Sequence, residues 1–157
     1  MAKRTYSTDA IEVHWDSSRC IHTGWCSKEL LAVFNPEQRP WIQLDQGELD
    51  AIVTVVEACP SGALTYTRTD GGPQEQVPDP ATIIPWPNGP YHVRGSFLVE
   101  DRHGETFDTG PRATLCRCGQ SQRHPYCDLS HRDAKFRSYP RVDSPDDPSA
   151  EQGTATS

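Results

Sequence analysis

Six cysteines and a handful of histidines carry most of the chemistry that these 157 residues could perform. Three of the cysteines crowd into one stretch, Cys116-Arg117-Cys118-Gly119-Gln120-Ser121-Gln122-Arg123-His124-Pro125-Tyr126-Cys127-Asp128-Leu129-Ser130-His131. Cys₃His is a legitimate zinc set, but structural zinc sites usually open with two to four residues between the first two cysteines. Here one residue separates them. Two thiolates that close suit one iron of a binuclear cluster, with Cys127 and His131 holding the other, and mixed Cys/His ligation of two irons is sound chemistry. The other three cysteines are spaced Cys20-x5-Cys26-x32-Cys59-Pro60. Six cysteines could instead form three disulfides. The opening MAKRTYSTDAIEVHWD has no apolar segment or small-residue cleavage site, so a cytoplasmic location is expected, where disulfides are rare. Metal binding is therefore the first expectation.

The elements that must position these residues are built from little apolar material. Leu, Ile, Val and Phe together number 27, or 17% of the chain, which also carries 14 prolines and 11 glycines. A thin core of this kind needs a staple. A short helix is expected after Cys26, with Ser27 as its N-cap and Leu30, Leu31 and Phe34 buried. A second fits Glu48–Ala58, where Leu49, Ile52, Val53 and Val56 recur at helical spacing. Asp45 and Glu48 resemble a capping box, while the β-branched run Ile52–Val56 leaves a strand as the competitor. Residues 68–90, rich in Pro and Gly, read as a linker. Tyr91–Glu100 alternates like a strand, Asp101–Gly104 reads as a turn, and Glu105–Asp108 and Ala113–Leu115 read as return strands. Residues 140–157 are polar and acidic, and a disordered tail is expected there.

The second cysteine stretch resembles the CDGSH iron–sulfur domain family, whose pattern is C-x-C-x2-[ST]-x3-P-x-C-D-G-[SAT]-H. Ser121, Pro125, Cys127, Asp128, Ser130 and His131 stand where that pattern requires them, and Leu129 stands where the family has Gly. The resemblance covers about residues 91–136 and implies a [2Fe–2S] cluster on Cys116, Cys118, Cys127 and His131, with zinc as the alternative. The first stretch, with CIHTGWC and CPSGALTY, resembles a divergent mono-cluster ferredoxin over about residues 6–67. Thr23 occupies the middle cysteine position of that pattern. The resemblance then implies either a [3Fe–4S] cluster on Cys20, Cys26 and Cys59 or a [4Fe–4S] cluster with His22 or solvent as fourth ligand. His22 could equally serve as a hydrogen-bond donor beside the cluster.

The expected fold class is α+β: a ferredoxin-like α/β unit at 1–67, the linker at 68–90, a mostly β CDGSH unit at 91–139 with a short helix after the cluster loop, and the tail at 140–157. Net charge is −7, and residues 1–90 carry 6 basic against 12 acidic side chains. That balance opposes nucleic-acid binding and suits a partner with basic docking patches. No apolar run approaches the roughly 20 residues of a membrane span. No Ser/His/Asp set, catalytic carboxylate pair or nucleotide fingerprint is present, so a carrier rather than an enzyme is expected. The leading expectation is a two-cluster electron-transfer protein working with redox proteins, a flavin reductase and an acceptor enzyme. The alternatives are an iron–sulfur cluster donor or redox/pH sensor acting through the His-ligated [2Fe–2S] cluster, and a structural zinc protein. A homodimer through the CDGSH unit follows by resemblance.

Overall fold

The structure, a computed structural model, describes residues 3–142; from residue 143 onward the expected tail lies outside them. The architecture is α+β. It contains two three-stranded antiparallel sheets, one per unit, and few helices.

The first sheet runs β1 (Lys3–Ser7), β2 (Ile11–Asp16) and β3 (Leu64–Arg68), in that order. On β2, buried Ile11 and Val13 alternate with part-exposed Glu12 and His14, and across the ladder Val13 faces Tyr66. This period of two presents one apolar face. Against it packs α2 (Leu49–Glu57) through Ile52, Val55 and Val56, with Val33, Phe34, Ile42 and Leu44 completing the core. The β-branched run therefore becomes helix, because one face of that helix closes the core. Neither Asp45 nor Glu48 forms the expected capping box: Asp45 lies in a 3₁₀ turn (Leu44–Gln46), and no side chain caps α2. The helix after Cys26 is also displaced. It is α1 (Trp25–Glu29), entered through Gly24 at φ +73° rather than capped by Ser27. Because it ends before the apolar triplet, Phe34 is buried while Leu31 is 57% exposed.

The second sheet runs β4 (Thr82–Pro85), β5 (Tyr91–Arg94) and β6 (Arg112–Leu115). The expected linker is thus partly strand. Thr82–Pro85 pairs with β5 as an edge, the position in a sheet that tolerates proline. The strand expected over Tyr91–Glu100 stops at Arg94. Gly95 follows at φ +129°, and a Cβ there would lie 2.5 Å from Ala81 Cα, so the chain turns where only glycine fits. Glu100 and Thr106 form an isolated bridge around the turn at Asp101–Gly104, which is all that remains of the Glu105–Asp108 return strand. After the second cysteine loop comes α3 (Ser130–Asp133). Among the described residues no helix is long and apolar enough to cross a membrane.

Two buried arginines join the units. Arg112, 2% exposed on β6, donates to the carbonyls of Val56 (2.7 Å), Cys59 (2.6 Å) and Leu64 (3.0 Å) of the first unit. Its guanidinium also pairs with Glu75 at 2.8 and 3.0 Å. Arg19 of the first unit donates to the carbonyls of Ser61, Thr109 and Arg112. Gly62 lies at this junction with φ +64°, and a Cβ there would come within 2.3 Å of the Arg112 carbonyl oxygen. Arg112→Leu would strand the Glu75 carboxylate and three carbonyls, so a loss of about 3–5 kcal/mol is expected. Urea unfolding followed by tryptophan fluorescence checks this; a loss under about 1 kcal/mol, the level of an exposed ion pair, would contradict it.

Candidate metal centres

The second cysteine loop is closed by its own backbone before any metal is considered. Cys116 N–H donates to the Pro125 carbonyl (2.8 Å) and Cys127 N–H to the Thr114 carbonyl (2.9 Å). Ser121 Oγ donates to the Tyr126 carbonyl at 2.7 Å. Asp128 accepts from Gln122 N–H (2.9 Å), Ser130 N–H (3.0 Å) and Ser130 Oγ (2.6 Å). The Ser130 bonds and the Gln122 amide hold its carboxyl well below the usual carboxylate range. Two donor pairs result. Cys116 Sγ lies 3.8 Å from Cys118 Sγ, and Cys127 Sγ lies 3.5 Å from His131 Nδ1. Two amides point at thiol sulfurs: Gln120 N–H at Cys118 (3.4 Å) and Leu129 N–H at Cys127 (3.3 Å).

The first set comes together across sequence. Cys20 opens the loop entering α1, Cys26 lies in the first turn of that helix, and Cys59 follows α2. All three, with His22, line one cavity of about 490 Å³. His22 Nδ1 is 3.7 Å from Cys20 Sγ, and Cys59 Sγ is 3.6 Å from Ser61 Oγ. Trp15 and Trp41 meet edge-on in its wall, with centroids 4.9 Å apart. Burial pushes the Cys20, Cys26 and Cys127 thiols up, so without a metal they stay protonated.

Comparison with known proteins agrees with these two constellations. Residues 6–69 match the family described as divergent 4Fe-4S mono-cluster, and residues 88–132 match the iron-binding zinc finger of CDGSH type. The chain is 36% identical over 63 residues to the "Uncharacterized protein YjdI" of Escherichia coli (strain K12), a match spanning 40% of this chain and 83% of that protein. The protein of the same name from Escherichia coli O157:H7 matches with the same figures. The chain belongs to the divergent 4Fe-4S mono-cluster family, with a CDGSH domain fused behind it.

The residues present fit the groups these families imply. Two thiolates about 2.3 Å from one tetrahedral ion sit about 3.8 Å apart. The CDGSH donors fall into two such pairs, as a two-iron cluster requires. In the mono-cluster domain, the Trp41 indole N–H is buried without a hydrogen-bond partner, and the Trp15 indole is turned to the Cys20 thiol. Arg4 and Arg39 also line that cavity, and no carboxylate does. An orphaned donor and positive charge around thiols suit an anionic iron–sulfur cluster with acceptor sulfides.

Leu129 is the one departure from the CDGSH pattern. It keeps the glycine-like backbone, at φ +73°, and so carries strain of about 1 kcal/mol. Its side chain lines a cleft beside His131. Sequence reasoning missed Thr114 and the two arginines, whose roles depend on partners far along the chain. Leu129→Gly is expected to leave thermal stability intact while speeding loss of the visible chromophore in mildly acid buffer, since water gains access to His131. An unchanged rate of loss would contradict the shielding.

Proposed function

We propose that the protein is a cytoplasmic electron carrier with two iron–sulfur centres, not an enzyme. The ligands are Cys116, Cys118, Cys127 and His131 for a [2Fe–2S] cluster, and Cys20, Cys26 and Cys59 for a [3Fe–4S] cluster. His22 sits at single-ion distance from Cys20, too close to serve a separate iron of a cubane. That supports a three-thiolate site over a [4Fe–4S] cluster capped by His22. When bound, the clusters supply one-electron chemistry, and histidine in place of cysteine raises the potential of one relative to the other.

The observation that carries this reading is Thr114. Its hydroxyl, in a side chain 2% exposed, donates to the Pro60 carbonyl at 2.9 Å, next to Cys59. Its own carbonyl accepts from Cys127 N–H at 2.9 Å. One residue thus links the two ligand sets through two hydrogen bonds. The acidic first half suits redox partners with basic docking patches, such as a flavin reductase and an acceptor enzyme. A second reading, donation of the [2Fe–2S] cluster to apo-proteins, is favoured by the cleft that leaves His131 at a surface. Chromophore transfer to an apo-ferredoxin without net electron flow would select it.

The test is Thr114→Val with the loaded protein. Iron, sulfide and resting spectra should match the parent, while equilibration of one photo-injected electron between the centres slows several-fold and recovers in Thr114→Ser. Centres that never exchange electrons in the parent would sink the carrier reading. For nuclearity, ferrous iron under reducing conditions should convert the first centre towards [4Fe–4S]. A site isolated with four irons, one released by His22→Ala, would reverse that assignment.

A further inference from the structure

A second cavity of about 380 Å³ opens between the two units and shares Ile21, Thr23, Trp25 and Pro60 with the cysteine cavity. One wall is Trp25 and Pro60; the other is Trp86, Leu129 and His131, with Arg132 also lining it. Its size and largely apolar lining are those of a small-molecule site. Both indoles are left in the open, Trp25 at 43% and Trp86 at 56% exposure. The Trp86 ring meets His92 edge-on, at 5.4 Å between ring centroids. Flat aromatic faces of this kind receive another flat ring well.

The charge of the cleft runs against that of the chain. Net charge is −7, yet no Asp or Glu lines this cleft. Arg132 is the one formally charged side chain in its lining, and that guanidinium has no ion pair among the described residues. An anionic group would be favoured there and a cation would not.

Position adds the decisive constraint. Pro60 follows Cys59 of the first ligand set, and His131 belongs to the second. A molecule in the cleft touches the surroundings of both centres at once. Two one-electron centres on either side of one cavity match an organic carrier that moves electrons in pairs. We propose that the cleft binds a planar, hydroquinone-type aromatic carrying an anionic substituent and takes its two electrons. The hydroquinone loses two electrons and two protons and becomes the quinone. Each centre is reduced by one electron, and the protons pass to solvent. This rests on the two-centre electron-carrier reading.

The probe is anthraquinone-2-sulfonate, whose fused rings leave no site for thiol addition. Equilibrium dialysis against oxidised holoprotein should show saturable binding, about tenfold tighter than for neutral 2-(hydroxymethyl)anthraquinone. Arg132→Gln should abolish that preference, and Trp86→Ala should weaken both dyes, with iron and sulfide content unchanged. Under anaerobic mixing, one anthrahydroquinone-2-sulfonate should bleach both centres. Absence of saturable binding, or binding indifferent to both substitutions, overturns the proposal. Dye that binds yet reduces neither centre, when dithionite reduces both, also overturns it and leaves the carrier reading standing. Centres that do not cycle with dithionite and ferricyanide would instead remove the carrier reading itself.

Discussion

Two guanidinium groups buried against backbone carbonyls hold this molecule in one arrangement. Arg112 satisfies three carbonyls of the first unit and the Glu75 carboxylate; Arg19 satisfies carbonyls on both sides of the junction. Each buried carbonyl would otherwise lose its water without replacement, at a cost of about 1–3 kcal/mol. Arginine suits this because its planar fork offers five donors in fixed directions. The Cys59 carbonyl is among the acceptors, and Thr114 lies two residues beyond Arg112 on β6. The junction that fixes the units therefore also fixes the distance between the two ligand sets.

The thin core explains why such a junction is needed. The cluster of buried apolar side chains belongs almost wholly to the first unit, whereas the second contributes Val93, Ala113 and Cys127 as its buried apolar groups. A three-stranded sheet with so little to bury is marginal alone. It gains order by docking on the first unit and by the hydrogen-bonded cysteine loop, and metal ligation would close that loop further.

What was legible in the sequence divides along physical lines. Local patterns were readable. The cysteine spacings, the helical period of α2, the start of β5 and the short helix after Cys127 all depend on residues near one another. Interactions set by tertiary partners were not. The β1–β2 hairpin went unmarked because its outer strand is largely exposed and polar. Strand β4 was hidden in a Pro/Gly-rich stretch, since an edge strand tolerates the residues that usually signal a linker. Arg19 and Arg112 look like any surface cation until the carbonyls they cover are known. Leu129 was readable as an anomaly, but only φ +73° shows that the glycine backbone persists under a leucine side chain.

The same contrast bears on what the cysteine cavity is built to hold. A wall of tryptophans can be explained by packing alone, and Trp15 against Trp41 does pack. Packing does not explain why the Trp41 indole N–H is buried without an acceptor. Native proteins rarely leave such donors orphaned, because each costs the desolvation of a polar group. Nor does it explain why Arg4 and Arg39 border a cavity containing three thiols but no carboxylate. A structural cysteine cluster would need neither the donor nor the cations. An anionic sulfur-rich group would accept from the first and balance the second. The unsatisfied Trp41 indole and the two arginines at this cavity thus suit an anionic iron–sulfur cluster on grounds separate from the cysteine spacing.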